Sequence, residues 1–371
     1  MHIADVTMFY TPDSGGVRTY LEAKHRGLAG RAQHSLVVPG SQCSQNAFLY
    51  NLPAPLLPFG HGYRFPLRKK NWVDTLVRLR PDIIEAGDPY VTAWASIDAG
   101  QKLGVPVVGF YHSDLTRMVH SRLGHWTDPL MNGYIRKLYS QFDRVLAPSQ
   151  VMADKLIGLG VENVSLQPLG VDATRFHPRH RDPAVKQQLG IADDVCLLIF
   201  VGRAAREKNI PILINTMNLL GKDYHLLLIG PGMPHAVADN ISVIDKYVGA
   251  GQISRYLASS NALIHAGDRE TFGLVVLEAM ASGIPVIGTR NGGVAELVVP
   301  GCGLLADTAS AQALAEVTRK LFANGHIGMG RLARKHVEEY YAWDRILARL
   351  LGQYRELTGC FDDTTAERRR A

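Results

Sequence analysis

The chain has 371 residues, which suggests two domains, each long enough to bury its own core. Hydrophobic residues make up 46% and charged residues 20%, an ordinary balance for a soluble globular protein, and the four dispersed cysteines (Cys43, Cys196, Cys302, Cys360) form no C-x-x-C, which speaks against a zinc or disulfide framework. A formal net charge of +6 tolerates anionic partners without choosing among nucleotides, nucleic acid and acidic lipid.

The start, "MHIADVTMFY", is too short for a signal h-region and is interrupted by Asp5, so it reads as a buried first strand. No apolar run reaches the roughly 18 residues of a membrane span. A cytoplasmic protein is expected, with peripheral membrane contact at most. Strands are predicted at 3–9, 34–40, 82–87, 106–112 and 144–149, then at 195–202, 224–230, 262–267 and 285–289. Helical patterns fall between them at 17–29, 91–103, 150–159, 209–220 and 275–282. Uncharged strand runs alternating with helices call for parallel sheets covered on both faces.

Residues 170–194, rich in Pro, charge and turn formers, separate two strand–helix series. The fold class is therefore α/β, with two doubly wound Rossmann-like domains whose parallel sheets face each other across a cleft. The expected bounds are 1–180 for an acceptor domain and 190–340 for a nucleotide-sugar domain. Helices at about 340–358 are expected to pack back on the first domain, with "TTAERRRA" as a frayed tail.

Ligands of such sheets sit past the carboxyl ends of the strands, so the chemistry is sought there. Gly15 and Gly16 stand where the first strand becomes a helix. They suit either a tight turn or a close anion at the helix start. "FVGRAAREKN" brings Arg203 and Lys208 out of the first strand of the second half. Two cations there can neutralise a diphosphate leaving group, or they belong to a solvated loop. Gly230 and Gly232 follow another strand and could admit a base or phosphate. His235 stands where a dinucleotide fingerprint needs its third glycine, which favours plain turn chemistry.

"HAGDRETFGLVVLEAMASGIPVIGTRNGG" carries two acids. Glu270 precedes a helix and can grip sugar hydroxyls. Thr271, Phe272, Gly273 and Leu274 follow it, and their backbone N–H groups suit hydroxyls or phosphate. Glu278 lies in an otherwise apolar helix, so its carboxylate is expected to be partly buried and to need a partner, such as ribose hydroxyls. His112 ends a strand in "GFYHSD", with Asp114 near enough to orient it. The histidine could bond a sugar hydroxyl or the departing phosphate, or be structural. The stretch 58–72 interleaves Arg64, Arg68, Lys69 and Lys70 with Phe59, Tyr63, Phe65 and Trp72, which suits an anionic membrane surface or a solvated loop, and 121–137 has a similar flavour. No nucleic-acid-binding module is recognisable. No Walker A, H-E-x-x-H, G-x-S-x-G or D-x-D appears, so no metal site is expected.

Together these residues resemble glycosyltransferase family 4, retaining enzymes of GT-B fold. The likeness runs from "SGGVRTYL" through "PLGVDATRFHP" and "VGRAAREKN" to "ETFGLVVLEAMASGIPV" with its E-x7-E spacing. It implies a UDP- or GDP-sugar donor, with Glu278 on the ribose, Glu270 by the donor sugar and Arg203 and Lys208 on the diphosphate. It further implies that Gly16 approaches the diphosphate and that His112 lies beside the sugar. No cofactor or essential divalent ion is implied. Thr271 replaces the Gly that many members carry after the first Glu, as in a branch that glycosylates diacylglycerol, including sulfoquinovosyl-diacylglycerol synthases. A lipid acceptor is therefore expected, with lipopolysaccharide or exopolysaccharide assembly as the alternative. A sugar-nucleotide 2-epimerase of the same architecture is the competing class.

Overall fold

The computed structural model describes residues 1–11, 15–57, 62–235 and 237–360. Phe59 and the "TTAERRRA" tail lie outside the described residues. The chain forms two compact units, Met1–Pro168 with the C-terminal segment from Asp344, and Leu169–Trp343.

The first unit is built on an eight-stranded sheet. Its strands are β1 (His2–Val6), β2 (Gln33–Gly40), β3 (Ser44–Asn46), β4 (Leu49–Pro53), β5 (Ile83–Ala86), β6 (Val107–Phe110), β7 (Arg144–Ala147) and β8 (Val164–Leu166), in the order β3-β4-β2-β1-β5-β6-β7-β8. All pairings are parallel except the β3–β4 hairpin. The crossover helices start and stop on local signals. Ser149 caps helix Gln150–Gly158 by accepting from Met152 N, and Gly104 ends helix Val91–Leu103 in the left-handed region.

Two acids sit inside this sheet, Asp5 on β1 and Glu85 on β5, each 1% exposed. Buried carboxylates need partners, and helix Gly16–Leu28 supplies them. Lys24 Nζ lies 2.7 Å from Asp5 Oδ1 and 3.1 Å from Glu85 Oε2, and Tyr20 Oη donates to Glu85 at 2.9 Å. Lys24 also donates to Tyr354 Oη at 2.8 Å. Tyr354 belongs to helix Trp343–Thr358, which buries Ile346, Leu347, Leu350 and Leu351 as well. One polar cluster thus ties the end of the chain to its first strand.

The second unit carries a six-stranded parallel sheet of β9 (Cys196–Val201), β10 (Tyr224–Ile229), β11 (Ile241–Ile244), β12 (Ala262–Ile264), β13 (Val286–Thr289) and β14 (Gly303–Ala306). The order is β11-β10-β9-β12-β13-β14. Strand order reverses between β9 and β12, so the ligand position expected of a doubly wound sheet lies past their carboxyl ends. Residues 169–180, expected in the first domain, belong here. Their contacts explain it: Ser254 Oγ donates to Arg175 O at 2.7 Å and lies 2.8 Å from His180 Nδ1. Among the described residues no helix is long and apolar enough to cross a membrane.

Candidate active site

Strand β9 ends at Val201, and Gly202 turns the chain out to Arg203. Arg203 is exposed, and among the described residues no ion-pair partner reaches its guanidinium. The loop then forms one 3-10 turn, Arg206–Lys208, and stops at Asn209 in the left-handed region (φ 53°). Asn209 Nδ2 donates to Ala266 O at 3.0 Å. That bond ties the basic loop to the segment after β12, where the switch point predicts a ligand.

His265 follows β12 directly and is 1% exposed. Gly267 N donates to its Nδ1 at 3.1 Å, which makes Nδ1 an acceptor and puts the ring proton on Nε2. That Nε2 lies 3.2 Å from Glu270 Oε1. Lys208 Nζ forms an ion pair with the same oxygen. Among the described residues no partner reaches Glu270 Oε2. Burial works to raise the Glu270 pKa, but the Lys208 charge and the His265 hydrogen bond outweigh it and hold the carboxyl well below the usual range. Glu270 is therefore an anion at any working pH, with one oxygen held and one unclaimed.

The backbone around Glu270 is held by the glycine pair that closes the 265–293 stretch. Gly293 N donates to Glu270 O at 2.8 Å, and Gly292 sits at φ +63°. A Cβ on Gly293 would lie 2.6 Å from Phe272 Cα, so only glycine allows this approach. Gly273, also left-handed (φ 108°), then starts helix Leu274–Ala281. Phe272 is buried, and Thr271 and Leu274 are half-buried at this corner.

Glu278 lies on that helix and is half-buried. Burial raises its pKa to about 7, and Arg175, itself near Asp172 (3.8 Å), offsets this only in part. No hydrogen bond reaches its carboxylate among the described residues. The expectation of a partly buried acid holds. Such an acid can accept two vicinal hydroxyls.

Two glycines of the sequence reading have structural reasons of their own. A Cβ on Gly230 (φ +140°) would run into Gly202 O, so this glycine lets β9 and β10 end side by side. Gly232 N already donates to Asp245 Oδ1 at 2.6 Å, so that N–H is not offered to a phosphate. In the first unit, Gly15 precedes helix Gly16–Leu28, and among the described residues no atom lies within 4 Å of where its Cβ would be. Both Gly15 and Gly16 are exposed.

His112 follows β6, stacked on Phe110 (centroids 3.9 Å) and tilted against Tyr20 (5.2 Å). Burial, with the nearby Lys24 charge, lowers its pKa to about 3, so it is a neutral ring. The sequence paired it with Asp114. The structure gives Asp114 other partners: Lys155, Tyr111 Oη at 3.3 Å, and Arg117 N at 3.2 Å as a helix cap.

The basic–aromatic stretch divides by residue. Trp72 is 1% exposed, and Phe65 packs on Tyr90 at 5.9 Å. Arg64 donates to Ala54 O at 2.7 Å, and Lys69 pairs with Asp98 at 2.6 Å. Trp72 therefore serves the core, while Tyr63 and Phe65 are half-buried and Leu67, Arg68 and Lys70 are exposed.

The geometry joins Lys208 to Glu270 across the segments past β9 and β12, puts Arg203 on the same loop as Lys208, and sets Glu278 on the helix that follows the 271–273 corner of the same unit. Sequence reasoning missed His265, Asn209 and the glycine pair as parts of this arrangement. A signal for His265 existed: a polar residue directly after an apolar strand run. The Asn209 and Gly293 contacts are long-range and have no local signal.

Comparison with known proteins follows the same lines. The family model "Glycosyl transferases group 1" matches residues 182–340, and "Glycosyltransferase Family 4" matches residues 14–175. The GDP-mannose-dependent alpha-(1-6)-phosphatidylinositol dimannoside mannosyltransferase of Mycobacterium tuberculosis is 27% identical over 95% of each chain. A sulfoquinovosyl transferase of Arabidopsis thaliana is 29% identical over 61% of this chain and 46% of its own. Among solved structures, the sucrose-phosphate synthase of Thermosynechococcus elongatus superposes with TM-score 0.78 at 20% identity, covering 96% of this chain and 99% of that one.

Proposed function

The chain belongs to glycosyltransferase family 4, with the two parallel-sheet units of the GT-B fold, and from that premise we propose that it moves a hexose from a nucleotide-diphosphate sugar to a hydroxyl of a membrane lipid, with retention at the anomeric carbon. That it is a hexosyltransferase using a nucleotide sugar rests on its family. The donor, acceptor and residue roles are our reading. One observation carries the site: an acid, Glu278, half-buried with no hydrogen-bond partner among the described residues, on the helix that follows the loop of a second acid, Glu270, which Lys208 engages.

In this reading Glu278 accepts the two ribose hydroxyls. Arg203 and Lys208 stabilise the charge on the departing diphosphate. The acceptor hydroxyl oxygen bonds to the anomeric carbon as the carbon–phosphate oxygen bond breaks on the same face, and its proton passes to the leaving phosphate. Glu270 uses its unclaimed oxygen for a sugar hydroxyl. A carboxylate so well stabilised is a weak nucleophile, which favours positioning over a covalent intermediate. The N–H groups of 271–274 serve hydroxyls or phosphate, and Gly15 and Gly16 leave room for an anion at a helix start. His112, as a neutral ring, suits a hydroxyl better than a phosphate charge. The second unit takes the donor and the first the acceptor, and no divalent ion is required.

For the donor we choose GDP-mannose, and for the acceptor a lipid with a hydroxylated head. The near full-length likeness to a GDP-mannose-dependent enzyme of phosphatidylinositol dimannoside supports both. The sulfoquinovosyl likeness, over under half of that relative, supports diacylglycerol less. Labelled GDP-mannose, UDP-glucose and UDP-sulfoquinovose should be offered with phosphatidylinositol and diacylglycerol vesicles, with and without chelator. Label in the lipid phase from GDP-mannose, with an α-configured product by NMR, is expected. A β-linked product would overturn retention, and label only in soluble glycans would overturn the lipid acceptor.

A further inference from the structure

The first unit exposes large apolar side chains on several segments, Leu56, Leu57 and Leu67 among them, and one short stretch adds a tryptophan. Helix Leu115–Leu123, the 3-10 turn His125–Thr127 and helix Asp128–Tyr139 pack together as a corner. On it Leu123 is 58% exposed, Trp126 73% and Leu130 66%, with Met118 beside them at 36%. Tryptophan is among the residues folding most readily covers, so a ring left this open on a well-held element marks a surface with a use.

The corner is built rather than loose. Gly124 turns at φ +93°, and Thr127 Oγ1 donates back to its carbonyl at 2.8 Å. Thr116 Oγ1 donates to Asn132 Oδ1 at 2.9 Å across the two helices. Asp128 meets His120 Nδ1 at 3.0 Å and His125 Nδ1 at 3.3 Å, which ties all three pieces at one point. Trp126 is therefore held outward by the turn that carries it.

Charge selects the partner. Arg117, Arg122, Arg136 and Lys137 are exposed on the same two helices. The one acid between 115 and 137 is Asp128, and the two histidines engage it. Arg117 lies 3.6 Å from Asp114, and the other three have no ion pair among the described residues; aromatic and aliphatic side chains among such cations match the interface of an anionic bilayer, where rings enter the headgroup layer and arginines meet lipid phosphates. We infer that the 115–137 corner, with Trp126 at its tip, is the surface through which this protein docks on anionic membranes. This holds whatever the acceptor is.

The test uses the full chain without donor. Wild type should sediment with vesicles of equal phosphatidylglycerol and phosphatidylcholine, and much less with phosphatidylcholine alone. Trp126 emission should shift to the blue on binding, and the shift should vanish in Trp126→Phe. Leu123→Ser with Trp126→Ser should weaken vesicle binding about tenfold or more, and Arg117→Ser with Arg122→Ser about tenfold on anionic vesicles only. All variants should keep the wild-type melting temperature and their transfer rate to a detergent-dispersed acceptor, which separates docking from chemistry. Wild-type protein that ignores anionic vesicles would overturn the inference. So would variants that bind as wild type does, or a dimer in solution that the same substitutions dissolve.

Discussion

Glu278 offers a test in which binding and stability move in opposite directions. Its pKa stands at about 7 against an ordinary 4.5. At about 1.4 kcal/mol for each tenfold, the ionised form in the ligand-free protein is disfavoured by up to about 3 kcal/mol. The folded pKa lies above the unfolded one, so this group favours folding in acid, and the benefit fades as pH rises through about 7. Glu278→Gln removes the buried charge and should raise the melting temperature by several degrees at pH 8, with little change at pH 5. The same substitution should abolish donor binding, because ribose hydroxyls lose their anionic acceptor. In wild type, with a pKa of about 7, the carboxylate is about one-tenth ionised at pH 6 and about nine-tenths at pH 8. Donor affinity should then rise about tenfold over that range, with one proton released on binding. Calorimetry in buffers of different ionisation enthalpy reads that proton. A pH-independent affinity, or a Gln variant less stable than wild type at pH 8, would refute the reasoning.

Lys208→Ala leaves Glu270 without its cation and should cost about 3 kcal/mol or more in denaturant unfolding, with part of the loss restored by adding Glu270→Gln; neither variant should transfer sugar. Arg203→Gln removes an exposed, unpartnered charge, so stability should stay within about 0.5 kcal/mol while diphosphate binding weakens about tenfold and loses salt dependence, as read by titration of GDP. Gly293→Ala pushes a methyl into the Phe272 backbone and should destabilise by about 1–3 kcal/mol, with a larger loss of turnover than of stability, since Glu270 moves with it.

Much of this architecture is legible in the sequence because the sheets are parallel and buried. Runs such as "VCLLIFVG" and "YHLLLIG" announce β9 and β10 by composition alone. Strands β3 and β4 are not so marked, since "SQN" and "LYNLP" lie at a sheet edge and keep polar residues. The 262–267 run was expected as strand throughout, yet β12 stops at Ile264. The backbone turns there so that His265 can face Glu270, a demand that comes from a residue outside the strand. The partly buried state of Glu278 follows from its apolar neighbours in the helix. The joining of Lys208 to Glu270 does not, because 62 positions separate them and only the adjacency of β9 and β12 brings them together. The inward turn of Trp72 depends likewise on which helix face is buried, and the outward turn of Trp126 on the 3-10 turn that carries it.

Diffraction from crystals soaked with the intact donor, or with GDP and the sugar, tests the central claim most directly. The account predicts ribose hydroxyls within hydrogen-bond reach of both Glu278 oxygens and the diphosphate against Arg203 and Lys208. Nucleotide density anywhere else, with the Glu278 carboxylate left empty, would contradict it.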